Sequence, residues 1–159
     1  MKRLAIFLIL LFNFGSTAYA NRASDIEDIL TLINTGKANQ AFNDALLLVA
    51  DNEGDIEFDY AFALAAHASK RFHQAIFAFE RVVKNRPRWL TARYALAISY
   101  FSAGNINAAE LELRQIQTLS SKQDFPNLQN YLHAIEEIRK NSEGQFQHHI
   151  ELGFGSDSN

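Results

Sequence analysis

The chain has 159 residues, 15 basic against 18 acidic side chains, a net charge of −3 and no cysteine. The absence of thiols excludes a disulfide framework, cysteine metal sites and thiol chemistry, so the fold rests on packing alone. The acidic balance speaks against nucleic acid as a partner.

Lys2 and Arg3 open the chain, an apolar run follows from Leu4 to Phe14 with Asn13 inside it, and Gly15, Ser16 and Thr17 lead to Ala18-Tyr19-Ala20. This is the order of a secretory signal peptide, in which a charged start is retained, an apolar run enters the membrane and small residues fit the peptidase. Cleavage is expected after Ala20, which sends the protein to the periplasm. The run covers eleven positions before Gly15, short of the roughly 18 that a membrane-spanning anchor needs. Without residues 1–20 the chain keeps 139 residues, 13 basic and 18 acidic, a net charge of −5. That length suits one domain with one core.

A shift of 34 residues superposes three segments of the remainder. Leu32, Ala66 and Tyr100 share a column, as do Ala41, Ala75 and Ala109, and Ala45, Phe79 and Leu113. Gly36 and Gly104 share another with Lys70, the odd residue of its column. Small residues at Ala63, Ala75, Ala97 and Ala109 suit places where two helices cross closely. Gly36 and Gly104 suit the reversal after a first helix, and Pro87 suits the junction between hairpins. The pattern predicts helices over 24–35, 38–51, 56–69, 72–85, 89–103 and 106–120, making three hairpins. After a break at Ser120 to Gln123, Pro126 is placed to start a seventh helix. Its apolar residues Leu128, Tyr131, Leu132, Ile135 and Ile138 recur at helical spacing, so residues 124–141 are expected as a cap.

Phe62-Ala63, Ala75, Phe79 and the closing Pro87 of the second unit, with Leu96-Ala97, Tyr100, Gly104, Ala109 and Leu113 of the third, resemble the tetratricopeptide repeat. The resemblance covers residues 22–121. It implies an all-α fold, a right-handed superhelix of antiparallel hairpins whose first helices line a groove that grips a peptide or helix of a partner. The first unit departs from the pattern, with Asp28-Ile29 where a large residue precedes a small one and Glu53 where a closing proline is usual. Carried over residue by residue, the groove is lined by Ile26, Leu30 and Ile33, then Tyr60, Leu64 and His67, then Tyr94, Ile98 and Phe101. Lysines and asparagines that would clamp a terminal carboxylate are missing from these places, so the expected client presents an apolar strand or an amphipathic helix. The same stripe is also readable as core, or as a surface covered by the C-terminal helix.

His67, His73 and His133 lack a second ligand at helical spacing, and His148-His149 would point to opposite faces of a strand, so no metal is expected. The acidic residues of 51–59 resemble a calcium loop in composition but miss its ligand pattern. A solvated turn is the expectation there. No nucleophile–base pair, phosphate loop or paired catalytic acid stands out, so neither an enzyme nor a cofactor is expected.

From Phe146, apolar residues alternate with polar ones through Ile150, Leu152 and Phe154, a period-two strand pattern. Residues 142–159 are therefore expected as a linker and a β-strand stub. The wording Glu151-Leu152-Gly153-Phe154-Gly155-Ser156-Asp157-Ser158-Asn159 looks like the entry to the first barrel strand in outer-membrane proteins with an N-terminal tetratricopeptide domain, of which the surface lipoprotein assembly modifier family is the nearest resemblance. The resemblance implies the periplasmic domain of a barrel protein that handles export or assembly of surface proteins, truncated at the barrel. The alternative is a free-standing periplasmic adaptor.

Overall fold

A computed structural model describes the backbone of residues 23–120 and 124–154 and the side chains of 23–120 and 124–142. The expected signal peptide lies outside these residues. Seven helices follow one another: α1 (23–34), α2 (Ala38–Leu48), α3 (Ile56–Ala68), α4 (Phe72–Asn85), α5 (Leu90–Ser102), α6 (Ile106–Leu119) and α7 (Leu128–Phe154). The described residues are all-α and hold no strand.

The 34-residue period is written into the turns. Gly36, Lys70 and Gly104 all have positive φ, at 77°, 63° and 80°. At each, the residue's N–H donates three residues back, to Ile33, His67 and Phe101. The next N–H donates five residues back, to Leu32, Ala66 and Tyr100, all at 2.8–3.0 Å. This paired bonding closes a helix on a left-handed residue and satisfies carbonyls that the helix end leaves open. Lys70, the odd residue of its column, therefore adopts the glycine geometry rather than breaking it. The short loops that result fold α1 onto α2, α3 onto α4 and α5 onto α6 as hairpins.

At the crossings the small residues are buried as packing requires: Ala41, Ala63, Ala75, Ala97 and Ala109 have no exposed surface. Around them Phe58, Phe79, Leu113 and Ile116 fill the core, each worth about 2 to 3 kcal/mol of apolar transfer. Ile29 takes the position of Ala63 and Ala97 in the first hairpin and is buried as well. Each helix from α2 onward packs on its successor, and α3 also touches α5.

Helix α2 ends three residues before its expected end. The Asn52 side-chain amide donates to the Leu48 carbonyl at 2.9 Å, and Gly54 at φ 80° turns the chain away. Asp55 then caps α3 by accepting from the Phe58 N–H at 3.0 Å. The acidic run is thus no uniformly solvated turn, because Glu57 and Asp59 lie in the first turn of α3, where the helix dipole favours them. Glu57 pairs with Arg86, and buried Asp59 pairs with Arg81. Pro87 sits in the α4–α5 loop, and its carbonyl accepts from Arg93 at 3.0 Å.

The C-terminal segment differs from its expectation. Leu128, Leu132 and Ile135 of α7 are buried as predicted. The helix continues without a break across residue 142 to Phe154, where the alternation predicts a linker and strand. A lone strand leaves its backbone N–H and C=O groups unpaired, whereas a helix pairs them within the segment. Residues 155–159 of the expected stub lie outside the described residues.

Candidate functional site

Tyr60, Leu64 and His67 are spaced by four and three along α3, and Tyr94, Ile98 and Phe101 repeat that spacing along α5, so each set occupies one helix face. Ile26, Leu30 and Ile33 do the same on α1. All nine are half-buried, and Ile26, Leu30, Ile33, Tyr60, Leu64, Tyr94 and Phe101 pack against the core. The stripe is apolar and aromatic in composition, with His67 as its polar member.

Several of these side chains already have partners. The ring of Tyr60 lies 4.5 Å from Trp89 and 5.9 Å from Phe79. Tyr94 lies 5.1 Å from Phe125 and 6.3 Å from Tyr131, and Phe101 lies 5.3 Å from Tyr131. In two of these contacts a tyrosine of a first helix meets an aromatic residue from the loop that precedes the next first helix or cap, Trp89 before α5 and Phe125 before α7. The far end of the stripe is thereby partly covered by Phe125 and by Tyr131 of the chain's own C-terminal helix.

Burial pushes the Tyr60 hydroxyl above its ordinary range, opposed by a hydrogen bond with Thr91. Burial, then the neighbouring Tyr131, does the same to Tyr94. Both hydroxyls are uncharged at physiological pH and offer neutral hydrogen bonds at the edge of an apolar surface. His67 meets Ser99 across the hairpins, with 2.9 Å between Nδ1 and Oγ. The single Ser99 hydroxyl proton goes to the Ala95 carbonyl at 2.7 Å. This assigns the ring proton to Nδ1 and leaves Nε2 an acceptor. Burial lowers the His67 pKa, which keeps the ring neutral.

Tyr100, chosen from the repeat columns, donates its hydroxyl to Glu80 and so ties α5 to α4. Three residues escaped the sequence reading: Trp89, Ser99 and Arg93. Arg93 is buried and donates to Glu112, Gln115 and the Pro87 carbonyl. The shift of 34 that found the glycines also aligns Asp59 with Arg93, so the signal was present. Among the described residues no group of three or more His, Asp or Glu side chains is placed to hold a metal ion, and no helix is long and apolar enough to cross a membrane. No protein-family model matches the chain, and no curated protein matches it.

Proposed function

We propose that this chain is a periplasmic protein-interaction domain built of tetratricopeptide-type hairpins, whose α1–α3–α5 face holds an apolar strand or amphipathic helix of a client protein. The observation that carries the reading is the stripe of nine half-buried apolar and aromatic side chains recurring on every first helix. In this reading residues 22–121 wind as a right-handed superhelix, residues 1–20 direct export, and α7 covers the last hairpin. The chain would be the N-terminal arm of an outer-membrane barrel protein that handles export or assembly of surface proteins, with residues 142–159 joining the barrel wall when a sheet is there to receive them. The helix that runs to Phe154 favours the second reading, a free-standing periplasmic adaptor.

A photo-crosslinking residue at position 64, in cells that export the protein, tests the proposal against the same probe at exposed Lys84. Specific adducts from position 64 are expected, together with recovery of a periplasmic form lacking residues 1–20. Tyr60→Ala should reduce those adducts far more than it lowers the melting temperature. Equal loss of adducts and stability would return Tyr60 to the core, and equal labelling from position 84 would sink the client-holding face.

A further inference from the structure

On the far side of α3, Phe58 and Phe62 lie about 160° from Tyr60 in a helix advancing about 100° per residue, with Asp59 at the edge of that face. They form the floor of a cleft between α2 and α4. It has two contiguous parts of about 550 and 390 Å³ that share Val49, Asp59 and Arg81. The outer part is walled by Leu46 and Phe77, which are 53% and 63% exposed, two large apolar side chains left open to solvent side by side with a cleft. The inner part is lined by Asn52 and Glu53.

Asn52 is 3% exposed. Its amide nitrogen is committed to the Leu48 carbonyl, so the orientation of the amide is set. Its oxygen Oδ1 is buried without a hydrogen-bond partner. Buried acceptors are ordinarily satisfied, and one left open where a cleft begins favours a ligand that brings a donor. The charge around it has one sign. Arg81 lies over Phe77 at 5.0 Å and is paired with Asp59, so these two cancel. Glu53 remains on the wall with exposed Asp51 beside it, and no basic residue occurs from 49 to 59.

We propose that this cleft is a second docking site, distinct from the α1–α3–α5 face, which takes a partner-protein segment carrying a lysine or arginine beside large apolar side chains. The apolar side chains lie between Leu46 and Phe77 over Phe62. The cationic group enters the inner part, donating to Asn52 Oδ1 and facing Glu53. An ammonium or guanidinium supplies several donors and no acceptor, which matches an orphan acceptor with acidic neighbours.

The probe is a labelled amphipathic peptide of leucine and lysine, blocked at both ends and about fifteen residues long so that it can form a helix. Its binding to the purified chain is followed by fluorescence anisotropy, beside the same peptide with glutamate for lysine. Saturable binding of the lysine peptide alone is expected. Phe77→Ser and Glu53→Lys, both at exposed positions, should each weaken it about tenfold, while Gln117→Ala, at an exposed position of α6 outside the cleft, leaves it unchanged. The proposal is overturned if neither peptide binds, if both bind alike, or if Phe77→Ser and Glu53→Lys have no effect. Binding lost in Tyr60→Ala but kept in Phe77→Ser also overturns it, and places the peptide on the α1–α3–α5 face. Binding abolished only by the cleft substitutions leaves the client-holding role of Tyr60 to its own crosslinking test.

Discussion

At the position where α3 carries Asp59, α5 carries Arg93, 34 residues further on, and where α4 carries Arg81, α6 carries Gln115. Both first-helix residues are buried, at 6% and 8% exposure. Asp59 receives two hydrogen bonds from Arg81, while Arg93 gives its protons to Glu112, Gln115 and the Pro87 carbonyl. The second and third hairpins thus both carry a polar contact here with the charges reversed, the acid of the third, Glu112, lying about one turn before the position of Arg81. In these two hairpins a buried polar contact joins the two helices at this level, and either sign supplies it. The first hairpin has Leu47 at the Arg81 position, 80% exposed, and does without the contact.

Arg93→Met should produce the largest stability loss, about 3 kcal/mol, because Glu112 is left desolvated beside an unbonded Gln115 and Pro87 carbonyl. Arg81→Met should cost about 2 kcal/mol, since Arg81 is the more exposed partner and its interaction is partly screened. Urea denaturation of both variants checks the order. The exchanged pair Asp59→Arg with Arg81→Asp sharpens the comparison. It should recover more than half of the summed loss of its two single substitutions, as a third hairpin with the reverse charge already implies. Additive losses would show that sign matters at this level as well as geometry.

The hairpins were legible because their signals are local and recur. Two glycines, a set of crossing alanines and one spacing place most helix ends within one or two residues. The α2 terminus was less legible, because a side-chain amide of Asn52 decides it, and that competition with the backbone leaves no periodic trace. Asp59 was hidden by reading residues 51–59 as one acidic run, when its neighbours along the chain matter less than Arg81 across the hairpin. The stripe of Tyr60, Leu64, His67, Tyr94, Ile98 and Phe101 was carried over from the resemblance to the tetratricopeptide repeat, and helical spacing puts each set of three on one helix face. That Phe125 and Tyr131 lean on its far end is a tertiary fact that spacing does not contain. The alternation after Phe146 describes which side chains would share a face of a strand, yet a strand also needs a partner, and a pattern cannot provide one.

Between the second and third hairpins, His67 and Ser99 make the contact whose response to pH is readable. Burial lowers the folded-state pKa of His67 below its unfolded value of about 6.5. As pH falls from about 7 to about 5, the unfolded chain therefore takes up a proton that the folded ring resists, and stability declines. The decline should be smaller than the loss in Arg81→Met, and thermal melts across this window should show it. His67→Gln, which keeps a donor for Ser99, should flatten the dependence. Glu110, held below the usual carboxylate range by hydrogen bonds from Arg139 and then Arg114, gives up its contribution only as pH falls through the carboxylate range. The two effects therefore separate along the pH axis. An unchanged slope in His67→Gln would remove His67 as its origin.

The smallest effect separates the two hairpins at their turns, where Lys70 and Gly104 do the same work with unequal ease. At φ 63° the Lys70 side chain pays for a left-handed backbone, a cost of about 1 to 2 kcal/mol for a residue with Cβ. Glycine avoids this strain and loses about 0.5 to 1 kcal/mol through its greater freedom when unfolded. Lys70→Gly should therefore stabilise the protein by about 0.5 kcal/mol, a difference of the two terms. Gly104→Ala should destabilise it by about 1 kcal/mol from backbone strain alone, since a Cβ there meets nothing within 4 Å. Opposite shifts in the urea midpoint would confirm that the three turns are one structure in two chemistries. If Lys70→Gly destabilises instead, the lysine contributes a contact that outweighs its strain, and the second turn is held by its side chain as well as by its backbone.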